Sequence, residues 1–168
     1  MSIEEDRAKL EALEKYKRNL GNLHARWAAM PHQAKIIDAI FGKRQCKRVF
    51  IRGGRKAAKT ETVLYLSHRM SISGPGKVSS IIGPSLKQQK KIVWNNHRLQ
   101  NFAPDSWGGT PYKSETRIEF PNQSFIEVDG SENSEAHRGE EQDMLILDEL
   151  KDHDFDSYNA MYPNLARS

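Results

Sequence analysis

Eight consecutive residues and one later pair have the types and spacing to do chemistry. Gly53-Gly54-Arg55-Lys56-Ala57-Ala58-Lys59-Thr60 follows a short apolar run and precedes a helix-forming stretch. A backbone that wraps there presents N–H groups to phosphate oxygens, and the helix N-terminus adds partial positive charge. Lys59 is then placed to reach β- and γ-phosphates, and Thr60 to ligate Mg²⁺. The pattern is G-x-x-x-x-G-K-[ST], with Ala58 where the second glycine is usual. Alanine adds one methyl group close to the ligand, and the loop conformation survives if residue 58 keeps a negative φ. Further on, Asp148-Glu149 closes the apolar run Met144-Leu145-Ile146-Leu147. Carboxylates at the end of a parallel strand stand where α/β sheets bind their ligands. Asp148 can hold the hydration shell of Mg²⁺, and Glu149 can polarise an attacking water. A basic surface loop and a solvated acidic pair are the plain alternatives. The presence of both halves in one chain argues against them.

The elements that must position these residues follow from periodicity. Ile3 to about Leu20 reads as an amphipathic helix with Leu10, Leu13 and Leu20 on one face, ended by Gly21-Asn22. A helix over His32–Phe41 enters through Pro31, turns Ile36, Ile37 and Ile40 inward, and stops at Gly42. Val49-Phe50-Ile51 reads as a buried strand leading into the loop, and Thr60 to Arg69 as the helix leaving it. Val78 to Ile82 reads as a second buried strand, closed by Gly83-Pro84. Ser85 caps a helix continuing to about Leu99. Arg117–Phe120 and Ser124–Asp129 alternate around Pro121-Asn122-Gln123, a hairpin. Met144–Leu147 is another buried strand, and a helix begins in the tail from Asp154. This order predicts an α/β fold: a P-loop NTPase of the helicase/RecA-like ASCE type. Its mainly parallel sheet is flanked by helices, with an N-terminal helix and a β-hairpin added. Residues 1–30 form a helical extension and 31–168 the ATP-binding domain.

Composition narrows the class. The chain has 168 residues, enough for one compact core. Its formal net charge of +4 permits contact with a polyanion without requiring it. Basic residues gather at Lys43, Arg44, Lys47 and Arg48, and again at Lys87, Lys90 and Lys91; solvated surface explains either cluster equally well. One cysteine, Cys46, cannot form an internal disulfide, which suits a reducing compartment. No run approaches the roughly 18 apolar residues of a membrane span, and the acidic N-terminus is not a signal peptide.

Four features in order resemble the ATPase domain of the large terminase subunit of tailed bacteriophages. Pro31-His32-Gln33 stands where that family has an adenine-recognition element, and the amide of Gln33 could both donate to and accept from a base edge. The loop is similar to the terminase phosphate loop, which often carries an arginine four residues before the lysine, here Arg55, and tolerates alanine where Ala58 sits. Gly83-Pro84-Ser85 looks like the segment after the family's second strand. Ala136-His137-Arg138-Gly139 leads into the acidic strand, the most terminase-like feature.

The resemblance implies a motor using ATP and Mg²⁺ to drive double-stranded DNA into a procapsid. Its implied partners are the portal protein, the small terminase subunit and further copies of itself in a ring. It would work in the cytoplasm of an infected bacterium and transiently at the portal. Arg138 is the candidate arginine reaching a neighbour's γ-phosphate, and Arg55 serves its own site. The family's chain continues into a coupling motif and a nuclease domain; this sequence ends soon after the acidic pair, as would an isolated fragment or a domain whose remainder is a separate chain. Two other readings compete: a helicase-like translocase on single strands, disfavoured by few and dispersed aromatics, and a nucleotide-binding module with little turnover.

Overall fold

The structure is a computed structural model. It describes residues 27–43, 45–54, 56–102, 107–133 and 141–161, together with Arg7, Leu10, Glu11, Glu14, Lys15, Lys17 and Arg18, and of Phe155 only the backbone. Those seven N-terminal residues are helical, and Leu10 is exposed. Leu13, Leu20, Gly21 and Asn22 lie outside the described residues.

Helix α1, Pro31–Phe41, starts on a proline whose missing N–H costs nothing at that position. Gln33 and Ile37 are its buried residues, with Ile36 and Ile40 half-buried beside them. Helix α2, Lys59–Ile72, has every residue from Thr62 to His68 buried. Seven consecutive buried residues leave no solvent face over two turns, so α2 runs through the interior rather than along it.

The sheet has five strands. Strand β1, Val78–Gly83, lies between β4, Phe125–Gly130, and β5, Met144–Leu147, and pairs in parallel with both. Asp143 aligns the entry to β1 and β5, accepting the Val78 N–H at 2.9 Å and the Lys77 ammonium at 2.6 Å. Strand β3, Arg117–Glu119, runs antiparallel to β4, and β2, Thr110–Tyr112, antiparallel to β3, giving the order β2-β3-β4-β1-β5. The expected hairpin is thus β3–β4 and belongs to the main sheet, with β2 an addition not foreseen. Two parallel and two antiparallel pairings make the sheet mixed rather than mainly parallel. Among the described residues no helix is long and apolar enough to cross a membrane.

Two further expectations are corrected. Val49-Phe50-Ile51 is not a sheet strand; Phe50 is 79% exposed and Ile51 39%. A strand exists only where a neighbour takes its hydrogen bonds, and no described strand pairs with this run. The helix after Ser85 is not continuous. Helix α3 covers Leu86–Gln89, a π-helical turn follows over Lys90–Trp94, and α4 resumes at Arg98–Phe102 after His97 with φ 52°. The helix expected from Asp154 is present as α5, Phe155–Met161, after a 3₁₀ turn at Leu150–Asp152, with residues beyond 161 outside the described ones.

His68 sits in the core of α2 with ring centroids of Phe102, Trp107 and Phe120 at 5.2, 6.1 and 6.1 Å. Its Nδ1 is 2.8 Å from the Leu64 carbonyl. Burial holds its pKa down at about 4 against an ordinary 6.5, although the Leu64 and Leu99 carbonyls pull the other way. The native fold therefore binds fewer protons than the unfolded chain between those values. Stability is complete above pH 6.5 and falls with acidity, by about 3 kcal/mol at pH 4. Denaturant titrations from pH 7.5 to 4 should show this loss, and His68→Phe should flatten the part of the profile below pH 6.5. A parent profile as flat as the variant's would refute it.

Candidate active site

The acidic pair is placed by β5. The ladder continues one residue past the strand, with the Asp148 N–H on the Ile82 carbonyl at 2.9 Å. Asp148 therefore emerges at the carboxyl end of β5, beside the end of β1. Its Oδ1 accepts the Glu149 N–H at 3.1 Å, and its main-chain carbonyl is 2.7 Å from His153 Nε2. Glu149 itself takes a left-handed conformation, φ 52°, as it enters the 3₁₀ turn. Such a backbone costs a non-glycine residue about 1–3 kcal/mol and recurs at functional sites.

A buried side chain that the sequence reading missed supports Asp148. Gln89, on α3, is fully buried, and its Nε2 lies 3.5 Å from Asp148 Oδ2. It crosses Gly83 to get there: a Cβ on Gly83 would lie 2.1 Å from the same Nε2. The glycine that ends β1 is thus required by the side chain passing over it. The signal in the sequence was weak, since a glutamine in a helix reads as solvated.

The loop is held from behind by α1. His32 Nε2 lies 3.2 Å from the Ala57 carbonyl. Gln33 Nε2 donates to the Ala58 carbonyl at 3.2 Å and to Thr62 Oγ1 at 3.0 Å, while its Oε1 accepts the Met30 N–H at 2.8 Å. Both ends of the Gln33 amide are engaged inside the protein, and Gln33 is not among the residues lining the cleft. In this structure the Gln33 amide holds the loop. Lys59 Nζ donates to the carbonyls of Gly53 and Gly54 at 3.0 and 3.3 Å, folding the loop around its ammonium.

Ala58 departs from expectation. Its φ is 51°, left-handed, not the negative value on which tolerance of alanine there depended. The loop geometry, set by the turn into α2 and the grip of Gln33, overrides the preference of alanine. That conformation costs about 1–2 kcal/mol, and glycine avoids it at an entropic cost of about 0.5–1 kcal/mol. Ala58→Gly should therefore stabilise the fold by about 0.5–1 kcal/mol, raising Tm by about 1–4 °C in calorimetry. A lower Tm would mean that residue 58 is not strained.

Loop and acidic pair meet in one cleft of about 330 Å³, lined by Lys56 to Thr60, Glu61, Ile92, Arg98, Asp148 and Glu149. That volume is within the range of small-ligand sites. Thr60 and Asp148 offer a hydroxyl and a carboxylate to it. Among the described residues no cluster of three or more His, Cys, Asp or Glu forms a metal cage. This donor set fits Mg²⁺, which takes few protein ligands and keeps water and phosphate oxygens. Arg55, Arg138 and Ala136 to Gly139 lie outside the described residues.

Fold and cleft together define an α/β domain with a five-stranded mixed sheet flanked by helices, open at the carboxyl ends of its parallel strands. That fold is shared with the ATPase domain of the Thermus phage P74-26 large terminase, at a TM-score of 0.65 and 20% identity over 85% of this chain and 63% of that one. An arginine-to-alanine variant of the same domain matches at 0.65 and 19%, with the same coverage. The chain thus spans less than two thirds of those chains, and at such identity the likeness is one of fold. No family model matches the chain, and no curated protein does.

Proposed function

We propose that this chain is the ATP-hydrolysing P-loop domain of a viral large terminase, powering the movement of double-stranded DNA into a procapsid. The observation that carries the reading is the convergence of Lys59, Thr60, Asp148 and Glu149 on one cleft, from elements nearly 90 residues apart. The fold shared with a terminase ATPase domain supports the finer assignment.

In this reading the backbone from Gly53 to Lys59 cradles the phosphates and Lys59 neutralises the β- and γ-oxygens. Thr60 and Asp148 hold the Mg²⁺ that arrives with ATP, which offsets phosphate charge. Glu149 takes the proton of a water whose oxygen bonds to the γ-phosphorus. The bond from that phosphorus to the β,γ-bridging oxygen breaks, leaving ADP and phosphate. Arg55 assists from within the loop, and Arg138 reaches the cleft of a neighbouring copy in a ring seated on the portal protein, to which a small terminase subunit delivers DNA.

Phosphate release by the isolated chain tests this directly. Specific activity should rise with protein concentration and with added double-stranded DNA. Mixing Arg138→Ala with Lys59→Ala should restore part of the rate that each lacks alone. A rate that is flat with concentration and with DNA, and unrestored by mixing, would remove the motor and ring assignments. Nucleotide binding without turnover would favour the module reading.

A further inference from the structure

One wall of the cleft is unused by the phosphate-loop chemistry. Arg98, the first residue of α4, lines the cleft with Lys59, Thr60 and the Asp148-Glu149 pair. Its Nη2 is bound to Oε1 of Glu61, two residues beyond Lys59 on α2, and both side chains are about one third exposed, at 34% and 35%. The guanidinium is thus stored beside the start of the phosphate-loop helix.

The chain bends to put it there. Between α3 and α4 the backbone opens into the π-helical turn Lys90–Trp94, closed by the Asn95 N–H on the Lys90 carbonyl at 2.6 Å. His97 then takes a left-handed φ of 52°, and Arg98 follows at once. Ile92, from the π turn itself, also lines the cleft. Two irregularities within eight residues break what the sequence alone predicts as one helix, and both kinds gather at functional sites. Arg98 is placed by that break.

We propose that Arg98 is a catalytic residue acting in its own subunit: it leaves Glu61 for the terminal phosphate of bound ATP and stabilises charge on the γ-phosphoryl oxygens during transfer to water. The inference rests on the nucleotide reading above. A terminal phosphate carries more negative charge than one carboxylate and offers a planar guanidinium paired acceptors, so it outcompetes Glu61 within the same cleft. ADP lacks that group and leaves the Arg98–Glu61 pair intact. Arg98 forms and breaks no covalent bond.

The test compares ADP, a non-hydrolysable ATP analogue and phosphate release in the parent chain, Arg98→Ala, Arg98→Lys and Glu61→Gln, with melting curves for each. Arg98→Ala should bind ADP within about twofold of the parent, and lose the ATP analogue at least about tenfold. Its turnover should fall about 10²–10³-fold, as when one transition-state donor is removed. Arg98→Lys should recover part of both. Glu61→Gln, which frees the guanidinium, should tighten the ATP analogue severalfold. Parent-like turnover and an unchanged ATP-to-ADP affinity ratio in Arg98→Ala would overturn the proposal. So would equal losses of ADP and ATP binding, with a lowered Tm, in both Arg98→Ala and Glu61→Gln, because the pair would then only brace α2. A parent chain that binds no ATP would instead sink the nucleotide reading itself.

Discussion

Lys59→Ala should leave the chain folded and almost unable to bind ATP. The ammonium is held by the carbonyls of Gly53 and Gly54, and Lys59 lines the cleft. On phosphate binding it exchanges neutral carbonyl partners for anionic ones, which strengthens each hydrogen bond. Losing one partner of a desolvated charge pair costs about 2–5 kcal/mol, or about 30- to several-thousand-fold in affinity. Lys56 also lines the cleft but is exposed, and no described contact of its side chain binds it into the loop. Titration with a fluorescent ATP analogue, beside a melting curve, measures the effect. Parent-like affinity and turnover in Lys59→Ala would remove the phosphate-loop assignment.

Glu149→Gln should separate binding from chemistry. The side chain keeps its size, and the Asp148 Oδ1 contact to the Glu149 N–H does not involve the side chain that changes. ATP should therefore bind with little change. An amide cannot accept the proton of the attacking water, and losing a positioned base lowers turnover by about 10²–10⁴. Single-turnover phosphate release should show the slowing, with ATP retained on the protein. If Glu149→Gln hydrolyses ATP like the parent, the base is elsewhere. Asp152 and Asp154 are the next residues to change, although Asp152 lies with the Lys151 ammonium at 3.7 Å and neither lines the cleft.

Much of the fold was legible because its signals are local. A proline before an apolar period set the start of α1, and an uninterrupted apolar run ending in two carboxylates marked β5 and the exit of Asp148. Alternation on either side of Pro121-Asn122-Gln123 marked the β3–β4 hairpin. Each is a matter of residue type against a period of 3.6 or 2, which needs no knowledge of what lies across the core.

The remainder depended on partners remote in sequence. Val49-Phe50-Ile51 has the composition of a strand, but strand formation requires a neighbour for its hydrogen bonds, and no described strand supplies one. Ala58 was allowed a negative φ by its own chemistry; the grip of Gln33, from 25 residues upstream, accompanies a positive one. Gln33 and Gln89 carry no sign in the sequence that one would hold the loop and the other Asp148, because a glutamine's role is set by what surrounds it once buried. Arg98 shows the same limit: its place in the cleft comes from a π turn and a left-handed His97, which residue propensities do not announce. The sequence by itself singled out Lys59, Thr60, Asp148 and Glu149 as candidates, because that depends on functional groups and short spacing. Only the tertiary structure decided which side chains stand behind them, because that depends on contacts between segments that folding alone brings together.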